Sequence, residues 1–219
     1  MKKIICIFVT VLMVVSVSAS AMPSEEQLED LKEYGIMVGD EDGEMRLEDT
    51  ITRAEATKMI CVVQGINVDS FSNNIEPSAF PDVPDSHWAK NYINVMKDVG
   101  IVEGDEKGNF NPEAEVTNEE IIKILVKAIG YAPMADQTGG FPMGYTRTAQ
   151  KLGITADMEL EVNQPAIRGN VAQMFAAVID IPLMVQSAWN ADGTVEYQIA
   201  DGSTGMEKMT LRIMHFDKK

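Results

Sequence analysis

Sulfur cross-links are close to absent from this chain of 219 residues, which holds two cysteines, Cys6 and Cys61, with Cys6 in an apolar leader. Once that leader is removed no intramolecular disulfide can form, so the fold is expected to rest on packing. Cys61 follows Met59 and Ile60 and precedes Val62 and Val63, the setting of a small buried apolar group rather than a reactive thiol. Histidine is as scarce. His87 and His215 are the only two, and neither has a nucleophile or a metal-ligand spacing beside it. No enzymatic activity and no cofactor are expected. Positive charge is the third deficit, with 18 lysines and arginines against 34 aspartates and glutamates and a formal net charge of -16. Such a field excludes a nucleic-acid partner. It also repels an anionic wall polymer at long range, so binding one would need local cationic points or bridging divalent ions.

Long apolar runs are rare too. The one from residue 4 to residue 17 follows Lys2 and Lys3 and precedes Ala19-Ser20-Ala21, the charged, apolar, small-residue order of a secretory signal peptide. Residues 1–21 are therefore expected to be a leader, with the mature chain starting at Met22 and two positive charges poorer. That run falls short of the roughly 18 to 20 residues that cross a bilayer as a helix, and no membrane span is expected.

What is present is a repeat. Gly35-Ile36-Met37-Val38-Gly39-Asp40 is echoed by Gly100-Ile101-Val102-Glu103-Gly104-Asp105, each leading into an acidic turn closed by Gly43 or Gly108. Seventeen residues after the first glycine of each block comes Thr52-Arg53-Ala54-Glu55 or Thr117-Asn118-Glu119-Glu120. A third, shorter copy runs from Leu152-Gly153-Ile154 to Ile167-Arg168-Gly169-Asn170. Thr52 with Glu55 and Thr117 with Glu120 have the form of a capping box, so a helix is expected to start at each pair. Met59, Val62 and Val63, and then Ile121, Ile124, Leu125 and Ile129, continue at helical spacing to stops at Gly65 and Gly130.

A first helix precedes each of these. It is expected from Glu25 to Tyr34 with Ser24 as cap, along the stripe Trp88, Tyr92, Met96 and Val99 with Asp85 or Ser86 as cap, and from Tyr145 to Leu152. The chain thus divides into repeats at 22–66, 80–130 and 131–182, with a linker at 67–79 and a tail at 183–219. No single helix pair buries its apolar face alone, so the three should form one all-α body. In the tail, Val195, Tyr197 and Ile199, and then Met209, Leu211 and Ile213, alternate with polar residues around Asp201-Gly202-Ser203. This pattern predicts a short β-hairpin.

Phe80-Pro81-Asp82-Val83, His87-Trp88-Ala89, Ile93, Gly100-Ile101, Gly104, Phe110 and Pro112, together with Ile51-Thr52-Arg53-Ala54-Glu55, closely resemble the S-layer homology repeat. The third copy, with Gly130-Tyr131 and Gly139-Gly140-Phe141-Pro142, resembles the third repeat of clostridial surface proteins of that family. The resemblance implies a secreted protein of the cell surface. It implies a pseudo-threefold bundle whose inter-repeat grooves bind secondary cell-wall polysaccharide, the polymer linked to peptidoglycan, often through a pyruvylated sugar. A carboxylate of that kind suits an arginine fork and a sugar face suits a tryptophan ring.

Carried over residue by residue, the expected ligand set is Arg53, Asp82, Trp88, Gly39, Gly104 and Arg168, with Thr52, Glu55, Thr117 and Glu120 as helix caps. Asn118 stands where the second copy would carry its arginine, and the third copy has lost the threonine and glutamate, so Arg53 ranks above Arg168. Arg53 on a first helical turn opposes the helix dipole, which calls for an acidic partner in the ligand or in the protein. Trp88 reads either as a core anchor of its stripe or as a sugar platform. Two rivals stand beside this reading. In one, the degenerate repeats bind no sugar and the hairpin edge docks another surface protein. In the other, the acidic turns bind calcium, but from Asp40 the glycine falls at the fourth position rather than the sixth of an EF-hand loop, so polar turns are expected instead.

Overall fold

Three segments far apart in the sequence meet in a ring of backbone hydrogen bonds. Val116 N–H donates to the Ile51 carbonyl (3.0 Å), Ala166 N–H to Val116 (2.8 Å) and Ile51 N–H to Ala166 (3.2 Å). Each of these residues stands one position before the first residue of a signature, and all three side chains are buried. The ring appears in a computed structural model that describes residues 22–68 and 76–217. The expected leader lies outside the described residues, as does most of the expected linker.

Among the described residues the element order is α1 (Glu25–Glu33), α2 (Arg53–Val63), α3 (Lys90–Asp98), α4 (Asn118–Ala128), α5 (Ala132–Gln137), α6 (Met143–Leu152), α7 (Arg168–Val178), β1 (Met184–Trp189), β2 (Val195–Ile199) and a π-helical turn (Arg212–Phe216). The protein is therefore mostly helical with a small antiparallel hairpin. The helix starts obey local chemistry. Complete capping boxes close α1 at Ser24 with Gln27, α2 at Thr52 with Glu55 and α4 at Thr117 with Glu120. At α7 the residue in cap position is Ile167, and no side chain caps the helix.

Helix α3 departs from the expectation. It starts at Lys90, and neither Asp85 nor Ser86 caps it. Asp85 accepts instead from the Ser78 N–H (2.9 Å), and the His87 ring Nδ1 accepts from Ala89 N–H (3.0 Å), so both are committed to the loop that precedes the helix. The buried face is consequently Ala89, Ile93 and Met96, while Trp88 and Val99 are 52% and 55% exposed. Trp88 is not a core anchor.

The tail differs as well. The partner of Val195–Ile199 is the preceding segment Met184–Trp189, joined through the turn around Asp192-Gly193. Met209 is held by single bonds to Ala200 and Leu183, and the chain then coils into the π-helical turn instead of a second strand. Leu211 is buried there and Arg212 is fastened to Asp30 of α1 and to Asp180 just past α7, while Ile213 is exposed, so of the alternating residues Leu211 is the one that packs fully on the bundle.

Helix pairing crosses the repeat boundaries. Helix α3 packs on α2, α6 on α4, and α1 on α7, so each first helix is covered by the second helix of another repeat. The pair α1 and α7 unites the two ends of the bundle. Arg212 fastens it, reaching Asp30 of α1 (2.9 Å) and Asp180 just past α7 (2.7 Å), while Phe216 stacks on Tyr34 with ring centroids 4.3 Å apart. One continuous apolar cluster runs through all three repeats and takes in Cys61, whose thiol burial pushes up to about 12.

Candidate functional site

Arg53 and Arg168 leave the first turns of α2 and α7 and cross to the neighbouring repeat in the same way. Arg53 donates from Nε to the Phe110 carbonyl (2.8 Å), from Nη2 to the Glu103 carbonyl (3.1 Å) and from Nη1 to Glu120 (2.9 Å). Arg168 donates from Nε to the Met45 carbonyl (3.0 Å), from Nη2 to Val38 (3.5 Å) and from Nη1 to Glu55 (3.2 Å). The acidic partner that the helix dipole called for is thus inside the protein. Each glutamate also closes its own capping box, with the other oxygen accepting from the backbone N–H of Thr52 or Thr117.

At the third junction Asn118 replaces the arginine and Asn170 the glutamate. Asn118 reaches only the Glu161 and Gln164 carbonyls, at 3.3 and 3.4 Å. Its buried Oδ1, and the buried Oε2 of Glu119 beside it, have no partner. Two junctions carry the arginine clasp and the third does not.

A groove opens over each clasp. The first encloses about 390 Å³ and is lined by Arg53, Glu103, Gly104, Phe110, Lys123 and Phe141 among others. The second encloses about 270 Å³ and includes Val38, Gly39, Lys58, Trp88 and Arg168. Each groove therefore draws on all three repeats: an arginine from one, a glycine loop and a lysine from the next, and an exposed aromatic ring from the remaining one. Trp88 and Phe141, 52% and 48% exposed, both stand twelve residues before the glycine that ends their repeat's first helix.

The expected ligand residues divide between these places. Arg53 and Gly104 line the first groove, and Gly39, Trp88 and Arg168 line the second. Asp82 lines neither. Its two oxygens accept from the Phe110 and Asn111 N–H groups (2.8 and 2.6 Å), tying the lead loop of the second repeat to the loop beneath the first groove. Gly39 and Gly104 permit a tight reversal. A Cβ at Gly39 would collide with the Gly43 carbonyl, and one at Gly104 with the Phe80 ring and the Asn109 carbonyl.

Sequence reasoning missed Lys58, Lys123, Phe141 and Glu103. Lys58 and Lys123 occupy the same register of the repeat, as do Trp88 and Phe141, so the repeat itself carried the signal. Lys123 donates to Glu103 (3.0 Å) and lies over the Phe141 ring, and Lys127 donates to the other oxygen of Glu103 (2.6 Å). Hydrogen bonds from Lys127 and Lys123 hold the Glu103 carboxyl below the usual carboxylate range. In the second groove Val38 stands in place of Glu103, and Lys58 has no ion pair among the described residues.

The acidic turns close on themselves. Asp40 Oδ1 accepts from the Asp42 and Glu44 N–H groups, and Asp105 Oδ1 from those of Lys107 and Asn109. Among the described residues no cluster of three His, Cys, Asp or Glu side chains could hold a metal ion, and no helix is long and apolar enough to cross a membrane.

The S-layer homology domain family matches residues 17–57 and 79–122. The chain is 25% identical over 197 residues to a "Cell surface protein" of Thermoanaerobacter kivui, covering 84% of this chain and 25% of that protein. It is 28% identical over 196 residues to the "Middle cell wall protein" of Brevibacillus brevis, covering 88% of this chain and 18% of the relative. A "Surface layer protein" of Brevibacillus choshinensis is 24% identical over 192 residues, covering 87% and 17%. The chain spans a quarter or less of the length of these relatives. The repeated glycine loops, the capping boxes and the inter-repeat arginines agree with these matches: two segments of the chain, 17–57 and 79–122, match the S-layer homology domain, and the chain is similar to proteins of the cell surface.

Proposed function

We propose that this chain is a non-catalytic anchor that holds secondary cell-wall polysaccharide non-covalently, with a pyruvylated sugar as its recognised unit. The observation that carries the reading is the paired groove: arginine, lysine and exposed aromatic ring converge twice, each set drawn from all three repeats. A lysine ammonium beside an arginine fork suits a carboxylate, and a ring half exposed at the rim suits the apolar face of a sugar. The residues offered as contacts are Arg53, Lys123 and Phe141 in one groove and Arg168, Lys58 and Trp88 in the other. Asp82, Gly39 and Gly104 act by shaping the loops. The ring of hydrogen bonds at Ile51, Val116 and Ala166 supports reading the bundle as pseudo-threefold, with repeats at 22–66, 80–130 and 131–182.

Purified cell walls, intact or stripped of their polysaccharide, test the proposal. The chain should sediment with intact walls and stay in solution with stripped ones. Equal sedimentation with both would favour the second reading, in which the hairpin docks another surface protein. That reading rests on its exposed Trp189, Tyr197 and Ile199.

A further inference from the structure

The two grooves are built on the same repeat register, and one of the places where their charge differs is the Glu103 position. In the first, the Glu103 side chain spans Lys123 Nζ (3.0 Å) and Lys127 Nζ (2.6 Å), while its carbonyl takes a hydrogen bond from Arg53. The positions equivalent to Glu103, Lys123 and Lys127 in the second groove are Val38, Lys58 and Val62. There the lysine lines the groove with no ion pair among the described residues, and Val38 is 45% exposed. The first groove thus already contains a carboxylate on the cation that an incoming carboxylate would use.

We infer that Glu103 is an internal counter-ion that closes the first groove to anionic sugars, leaving the Arg168, Lys58 and Trp88 groove as the working site. The inference rests on the reading of the grooves as polysaccharide sites and assigns their division of labour. An anionic ligand entering the first groove must displace Glu103 from two lysines or sit against its charge. In the second it meets an ammonium that makes no ion pair among the described residues. The Glu103 carboxylate is over half exposed, so it can be replaced without burying an orphaned group. Val38 shows that the same backbone accepts valine at that position.

Isothermal titration of the full chain with a 4,6-pyruvylated methyl hexoside tests this. The parent should bind one equivalent and Lys58→Ala should lose it. Glu103→Val should bind two, and Glu103→Val with Lys58→Ala should bind one, about tenfold or more tighter at the first groove than Lys58→Ala alone. Glu103→Gln, which keeps the shape, should repeat the gain in affinity and so separates charge from packing. Circular dichroism checks that each variant is folded. If the parent binds one equivalent, Lys58→Ala none, and both Glu103 variants behave like the parent, Glu103 is no gate although the second groove remains a site. If the parent, Glu103→Val and Glu103→Gln all bind nothing, the groove reading itself fails and the gate with it.

Discussion

Glu120 serves two helices at once: its Oε1 accepts from Arg53 Nη1 at 2.9 Å while its Oε2 accepts from the Thr117 N–H at 2.9 Å. A cap of one repeat is therefore the counter-ion of another. Thr117→Ala should cost about 1 kcal/mol, the usual worth of an N-cap. Glu120→Ala should cost about 2 kcal/mol, because it also leaves the largely covered Arg53 side chain without its carboxylate. Urea unfolding reads both values. Equal losses in the two variants would mean that the ion pair adds nothing.

Ile51 is fully buried and its backbone closes the central ring, so truncation there should be felt by every repeat. Ile51→Ala should destabilise by about 2 to 5 kcal/mol. Because first and second helices pair across repeat boundaries, parent and variant alike should melt in one calorimetric transition. Separable transitions in either would contradict the pairing.

Cys61 gives a pH signature. Burial raises its thiol to about 12, above the ordinary value near 8.5 that the unfolded chain keeps. The unfolded state alone loses this proton between those values, so the native state binds more protons and stability falls as pH rises through the window. Cys61→Ala should show a shallower alkaline decline than the parent, and thiol labelling of the native parent at pH 8 should follow global unfolding. Labelling much faster than unfolding would place the thiol within reach of solvent.

Arg212 joins Asp30 to Asp180 and lies over the Tyr34 ring, holding the two ends of the bundle together. Its side chain is about a quarter exposed, so the ion pairs are partly screened, and Arg212→Ala should cost about 1 to 2 kcal/mol. Hydrogen exchange should accelerate first in α1 and in the end of α7. Uniform acceleration across α2 and α4 would show that the clasp is not local.

Wall binding should respond to the arginines in the reverse of the order expected from their sequence contexts. Arg168→Ala is expected to weaken binding to purified polysaccharide more than Arg53→Ala, since the Arg53 groove holds Glu103 against its lysine. Lysine at position 168 should rescue poorly, because an ammonium cannot replace a fork that donates to two carbonyls and a carboxylate. With a net charge of -16, moderate salt should leave binding unchanged or slightly stronger. Steep loss with salt would point to long-range attraction instead.

The sequence by itself determined the helix starts at Ser24, Thr52 and Thr117, because a capping box is satisfied within four residues and needs no distant partner. It also determined the repeat, the glycine turns and the burial of Cys61, all carried by local pattern. The core-anchor alternative for Trp88 fell because His87 and Asp85 are engaged by the lead loop, which delays α3 to Lys90 and leaves the ring exposed. The second predicted strand of the tail failed for a related reason: Leu211 and Arg212 are claimed by the bundle, and period-two spacing cannot reveal that. Only the tertiary structure decided which repeat supplies each partner. Arg53 meets Glu120 across 67 positions and Arg168 meets Glu55 across 113 because the ring at Ile51, Val116 and Ala166 sets each helix start beside the next repeat's loop. One charge that separates the two grooves is Glu103 against Val38, and that difference acquires meaning only once folding has brought Lys123 and Lys127 to the carboxylate.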